Sequence, residues 1–231
     1  MCYIEKNIKD LREEIHEICS KIGRNPEEIQ LIAVTKTVDH ERINEAIHTG
    51  VEDIGENKVQ EIMEKYNVVS SVNWHMIGHL QTNKVKYIID KVKLIHSVDR
   101  ISLAEEINKR AKQHNKIMDV LVQVNVANEE TKFGLANSEV FDFFEKIQPL
   151  EHIRVKGLMT IAPYEENPED VRKYFKMLKE IFEEIKTKGF QRVEMRYLSM
   201  GMTNDFKIAI EEGANMVRVG TGIFGRRNYN K

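Results

Sequence analysis

The chain has 231 residues, 41% hydrophobic and 31% charged, and its 35 Lys and Arg nearly balance 37 Asp and Glu, for a net charge of -2. That composition excludes a disordered chain and offers no basic excess to attract nucleic acid. Cys2 and Cys19 are too few for a disulfide framework and no apolar run nears the ~20 residues of a membrane span, so a cytoplasmic location is expected.

Taken in chain order, Ile4, Ile8, Leu11, Ile15, Ile18 and Ile22 recur at helical spacing as one stripe, and Gly23 follows as a stop. Gln30 through Thr35 reads as a strand, as do Glu52 through Gly55, Asn73 through Ile77 and Leu94 through Val98. The strand pattern returns at Asp119 through Val126, Arg154 through Ile161, Arg196 through Ser199 and Met216 through Val219, giving eight in all. Helical patterns lie between them. Ser102-Leu103-Ala104-Glu105 offers a capping box, and the clearest helix runs from Pro168 to Lys188, with Asn167 as its cap and Gly189 as its stop. Eight strand–helix alternations behind a leading helix predict an α/β fold, a (β/α)8 TIM barrel that takes residues 1–231 as a single domain. A doubly wound open sheet is the rival, but it needs fewer strands.

Barrels of this kind carry their chemistry where strands end and loops begin. Lys36 ends the first strand and shares parity with Ile32 and Val34, so it can point inward. A lysine in a low-dielectric interior loses its proton more easily and becomes a Schiff-base nucleophile; the plainer reading is a solvated strand terminus. Gly220-Thr221-Gly222-Ile223-Phe224-Gly225 matches G-x-G-x-x-G, but only six residues follow it, too few for a dinucleotide-binding unit. The better reading is a phosphate cup built from the loops after strands seven and eight, with Ser199-Met200-Gly201 and Gly220-Thr221-Gly222 supplying hydroxyls and backbone donors. Arg218 lies on the face of its strand opposite Val217 and Val219, which puts it inside the barrel if the valines pack under the helices. It then needs acceptors, from a ligand or from a carboxylate. Amine, phosphate cup and guanidinium together fit pyridoxal 5′-phosphate (PLP), which has an aldehyde, a phosphate and a ring nitrogen.

Several longer segments then carry a resemblance. Ala33 through Thr37, Gly55 through Glu61, Trp74 through Lys84, Gly157 through Thr160, Leu198 through Asp205 and Val217 through Gly225 closely resemble the pyridoxal phosphate homeostasis protein family. These are single-domain relatives of the alanine racemase barrel, the third fold type among PLP proteins. The resemblance implies that Lys36 holds PLP covalently as a Schiff base. It gives the phosphate to Ser199, Gly220 and Thr221, the pyridine nitrogen to Arg218 and the ring pocket to Asn57. It implies a monomeric carrier or regulator in vitamin B6 and amino-acid homeostasis, with PLP and apo-PLP enzymes as partners and neither nucleic acid nor membrane.

The alternative is an enzyme, either a slow amino-acid racemase or a Schiff-base aldolase that uses Lys36 without PLP. Two features favour the carrier. A guanidinium facing the pyridine nitrogen keeps that nitrogen unprotonated, and racemases of this fold add a C-terminal β-domain, whereas this chain ends soon after strand eight. Val38 and Asp39 depart from the usual Lys-Pro of the family, and Thr203 from its usual Ser. Lys132 matches a loop lysine of the family and reads as solvated. His75 and His79 do not make a zinc site without a third ligand. Met159, Met200 and Met202 are candidate pocket residues or core filling, and Arg226 through Lys231 reads as a solvated tail.

Overall fold

The isoleucine stripe folds as helix α1 (Tyr3–Ile22), whose start is closed reciprocally: Glu5 N–H donates to Cys2 Sγ and Cys2 N–H donates to the Glu5 carboxylate. Ile4 through Ile18 of the stripe are buried, and Cys19 takes the last buried place, while Ile22 is exposed at the helix end. Gly23 ends the helix in the left-handed region, as the sequence predicts. The computed structural model describes residues 2–129 and 131–225; the C-terminal segment read as a solvated tail lies outside the described residues.

Eight parallel strands follow in sequence order and close on themselves. They are β1 (Gln30–Val34), β2 (Asp53–Glu56), β3 (Asn73–Met76), β4 (Leu94–Val98), β5 (Met118–Gln123), β6 (Ile153–Met159), β7 (Val193–Ser199) and β8 (Met216–Val219). Closure is made by β8 pairing back onto β1, with Gln30 beside Met216 and Ala33 beside Val219. The connecting helices are α2 (His40–His48), α3 (Val59–Lys65), α4 (Ile101–Gln113), α5 (Val140–Lys146), α6 (Arg172–Thr187), α7 (Phe206–Glu211) and α8 (Thr221–Phe224); a 3-10 stretch, Thr82–Tyr87, serves between β3 and β4. The α/β TIM barrel read from the alternation is therefore the fold.

Local differences have local causes. The expected capping box at Ser102 does not form. The helix starts two residues earlier than that box requires, at Ile101, and Arg100 at its N-cap bonds Asp99 (2.5 Å) and the Leu80 carbonyl (2.8 Å). The stretch from Pro168 opens as a 3-10 turn, with Asn167 Oδ1 accepting from Glu169 N–H at 3.3 Å, and becomes α-helical only at Arg172.

Strand alternation sorts the core into two parts. Ala33, Ile54, Val122, Leu158, Val217 and Val219 face outward under the helices, while Ile32, Leu94, Leu121, Met159 and Met216 fill the interior of the barrel beside Tyr197. The inner cluster is small because much of the interior is polar: Asp53, His75, His96, Ser199 and Arg218 are all buried.

Candidate cofactor site

A cavity of about 440 Å³ opens at the C-terminal ends of the strands. Its wall includes Lys36 and Asn57, which follow β1 and β2, Arg218 and the Gly220-Thr221 turn of β8, and the loops that follow β6 and β7. Thus five of the six residues expected to hold the cofactor border one space.

Lys36 is held by its neighbours on either side. The Thr35 hydroxyl donates to Glu56 Oε1 (2.7 Å), and Lys65 Nζ donates to the Thr35 carbonyl (2.9 Å), to Glu56 (2.8 Å) and to Glu61 (2.7 Å). Thr37 sits at φ 61, unfavourable for a β-branched residue, and its N–H donates to the Glu61 carboxylate at 2.6 Å. The chain on both sides of Lys36 is thereby fixed by one partly buried ion cluster. Burial pushes the Glu56 carboxyl up against the pull of Lys65. Burial also works on Glu61, but Lys65 and the Thr37 N–H outweigh it and hold that group down. Asn57 is placed by close backbone contact: a Cβ on Gly78 would sit 2.3 Å from the Asn57 carbonyl oxygen, so only glycine fits there.

Next to the Lys36 segment, at the end of β8, the Thr203 and Thr221 hydroxyls meet at 3.1 Å, and Gly222 N–H donates to Thr203 Oγ1 at 3.3 Å. Thr203 lines the cavity together with Met202 and Asp205. The Asp205 carboxylate accepts from Met202 N–H at 2.5 Å; burial pushes its pKa up, and that hydrogen bond and the Arg218 charge oppose the rise. Ser199 does not line the cavity. It is the last residue of β7, points into the barrel, and its hydroxyl accepts from Arg218 Nη1 at 2.6 Å. The hydroxyl that the loop after β7 contributes to the wall is Thr203, four residues later.

Arg218 is inside the barrel, as its parity with Met216 predicts, and Nη2 donates to the Thr160 carbonyl at 2.7 Å. Burial brings its pKa down to about 10, still charged at neutral pH, with Asp205 opposing the drop. Beneath it runs a set of residues that sequence reasoning did not bring together. Ser199 Oγ lies 3.0 Å from His96 Nδ1, His96 Nε2 lies 2.9 Å from His75 Nδ1, and His75 Nε2 lies 2.9 Å from Asp53 Oδ1. The one signal available for them was a histidine at inward parity in each of two apolar strands.

The remaining candidates separate. His79, in the loop after β3, is stacked on Phe133 at 3.7 Å between ring centroids, whereas His75 is bonded to His96 and Asp53 inside the barrel. Among the described residues no group of three His, Cys, Asp or Glu is placed to hold a metal ion. Lys132, expected to be solvated, is in fact anchored: it pairs with Glu129 and donates to the Ala162 carbonyl on the cavity wall. Of the three methionines, Met202 borders the cavity, and Met159 and Met200 are buried in the core. No helix among the described residues is long and apolar enough to cross a membrane.

Known proteins resemble this chain in sequence and fold. The alanine racemase N-terminal domain family matches residues 7–228. A pyridoxal phosphate homeostasis protein of Aquifex aeolicus is 48% identical over 94% of this chain and 95% of its own length. The structure of PipY from Synechococcus elongatus with PLP bound superposes with a TM-score of 0.83 at 29% identity, covering 96% of this chain and all (100%) of PipY. Alanine racemase of Corynebacterium glutamicum, at 13% identity and a TM-score of 0.72, shares the fold over 99% of this chain and 62% of the racemase. With a closed eight-stranded barrel and these full-length matches, the chain belongs to the pyridoxal phosphate homeostasis protein family, within the alanine racemase N-terminal domain family.

Proposed function

We propose that this protein binds PLP in the C-terminal mouth of the barrel, attached covalently through Lys36, and serves PLP homeostasis by holding and releasing the cofactor. The observation that carries the reading is convergence: a lysine, a buried arginine and a threonine pair over a glycine turn border one cavity of about 440 Å³. Three chemically different groups of one ligand are thereby matched at once.

The residues fit that ligand. Gly222 is packed so closely that a Cβ would lie 2.8 Å from Val219 Cγ1, so only glycine lets the turn pack here, and its N–H bonds Thr203. Thr203, Gly220 and Thr221 take the phosphate end, Asn57 borders the ring, and Arg218 presents donors to the pyridine nitrogen. Ser199 enters the proposal as the residue that holds Arg218. PLP, when bound, supplies an aldehyde that condenses with amines. Arg218 stays charged at neutral pH and has only donors, so it favours an unprotonated ring nitrogen and weakens electron withdrawal for carbanion chemistry. We place the protein in the cytoplasm as a monomer, with apo-PLP enzymes as recipients.

The enzyme alternative has one observation in its favour: Tyr164 borders the cavity and is 82% exposed, so a phenol is within the mouth. Borohydride reduction of PLP-loaded protein and peptide mapping should place a pyridoxyl mass on Lys36; a label confined to other lysines overturns the assignment. Incubation with single amino-acid enantiomers should give no turnover in the ~1–10³ s⁻¹ range of ordinary enzymes. Racemisation at such a rate, lost in Lys36→Ala, would establish the enzyme instead.

A further inference from the structure

Titratable groups inside a barrel are costly unless each finds a partner. Here Arg218, Ser199, His96, His75 and Asp53 form one continuous row across strands β8, β7, β4, β3 and β2, and every proton in it can be assigned. Arginine only donates, so Ser199 Oγ accepts from Arg218 at 2.6 Å and sends its own proton to His96 Nδ1 at 3.0 Å. His96 therefore carries its proton on Nε2 and donates it to His75 Nδ1 at 2.9 Å. His75 in turn carries its proton on Nε2 and donates to Asp53 Oδ1, also at 2.9 Å. The reverse order would aim two donors at Ser199 and leave its hydroxyl proton unmatched in the row.

Burial supports the same assignment, since it depresses both imidazoles and keeps them neutral. Asp53 is held at about 2: burial would raise it, but hydrogen bonds from His75 and Gln30, the electrostatic pull of His75 and the charge of Lys93 prevail. It therefore ends the row as an anion. A carboxylate placed directly on Arg218 would draw the guanidinium toward itself and neutralise it. A hydroxyl and the Thr160 carbonyl instead fix its orientation and leave its charge available to the cavity.

We propose that Asp53, His75, His96 and Ser199 are positioning residues for Arg218, a one-directional row of hydrogen bonds that sets the guanidinium against the cofactor's ring nitrogen from the opposite end of the barrel. The far end is not sealed: Asp53 also borders a second cavity, of about 960 Å³, with Lys93 and Arg196 around its mouth. This inference rests on PLP binding beside Arg218, and its first test does not.

Nitrogen-15 NMR of the unloaded wild-type protein at neutral pH should show both His75 and His96 as neutral Nε2–H tautomers. A charged ring or an Nδ1–H tautomer at either position overturns the row. In the PLP-loaded protein, His96→Leu should release PLP about tenfold faster and shift its absorption band, because Ser199 and His75 each lose a buried partner. His96→Gln, which keeps a donor and an acceptor, should recover part of both effects, and Asp53→Asn should shift the band in the same direction. Unchanged band and release rate in all three variants, with the tautomers as stated, would defeat the positioning role. A wild-type protein that takes up no PLP would defeat the functional reading and leave the tautomer result standing.

Discussion

His96 is fully buried beside His75 and Arg218, and burial first and those neighbours second hold its pKa well below the usual histidine value. His75 is lowered in the same direction, although Asp53 partly restores it. The sign of the stability effect follows. Below pH ~6.5 the unfolded chain takes up protons that the folded chain refuses, so stability falls as pH falls, and above that pH these groups contribute no slope. Each histidine adds at most about 1.4 kcal/mol per pH unit to that slope. Urea unfolding at pH 7, 6 and 5 should show the decline, and His96→Gln should flatten it by the share of one histidine. A variant with the wild-type slope would show that His96 gains its proton in the folded state. Asp53 adds to the decline only at lower pH, as pH falls from the unfolded aspartate value of ~3.9 to its own of about 2.

Between residue and molecule, strand alternation decides what the sequence could reveal. All eight strands were legible because apolar runs bounded by turn residues repeat through the chain, and closure follows from the count. Parity on β8 was also legible, since Val217 and Val219 face the helices and Arg218 the interior. The same rule, applied to β7, points Ser199 inward as well, to Arg218, and leaves the Thr203 hydroxyl on the cavity wall. Asp53, His75 and His96 were not legible as a group because they lie on different strands and meet only when the barrel closes. These placements predict a contrast. Thr203→Ala with Thr221→Ala should weaken PLP binding more than pyridoxal binding, each lost hydrogen bond to the charged phosphate being worth about 1.5–3 kcal/mol. Ser199→Ala should weaken the two ligands alike, because it acts through Arg218. Competition binding with both ligands checks this, and a phosphate-selective loss in Ser199→Ala would return that serine to the cup.

At the scale of the whole molecule, the turn after β8 is tied to the part of the chain farthest from it in sequence. Asn7 of α1 donates to the Ile223 carbonyl at 2.8 Å, and Arg42 of α2 donates to the Phe224 carbonyl, so the leading helices hold α8 and the glycine turn before it. The Glu56–Lys65–Glu61 cluster does the same for the segment around Lys36. A ligand that bridges Lys36 to the Gly220-Thr221 turn therefore joins the first strand to the last, across the seam where β1 meets β8. Such a ligand binds the folded chain and not the unfolded one, and at a hundred times its dissociation constant it stabilises by about 2.7 kcal/mol. For a chain of this size each kcal/mol raises the midpoint by about 2–4 °C, so PLP at that excess should raise Tm by roughly 5–11 °C. At the same concentration pyridoxal should raise it less, lacking the phosphate, and Lys36→Ala should reduce the PLP effect without abolishing it, since the phosphate and ring contacts remain. Differential scanning calorimetry with the two ligands decides the matter. Equal shifts for PLP and pyridoxal would mean that the turn after β8 holds no phosphate, and a Lys36→Ala shift equal to wild type would mean that the seam is bridged without the lysine.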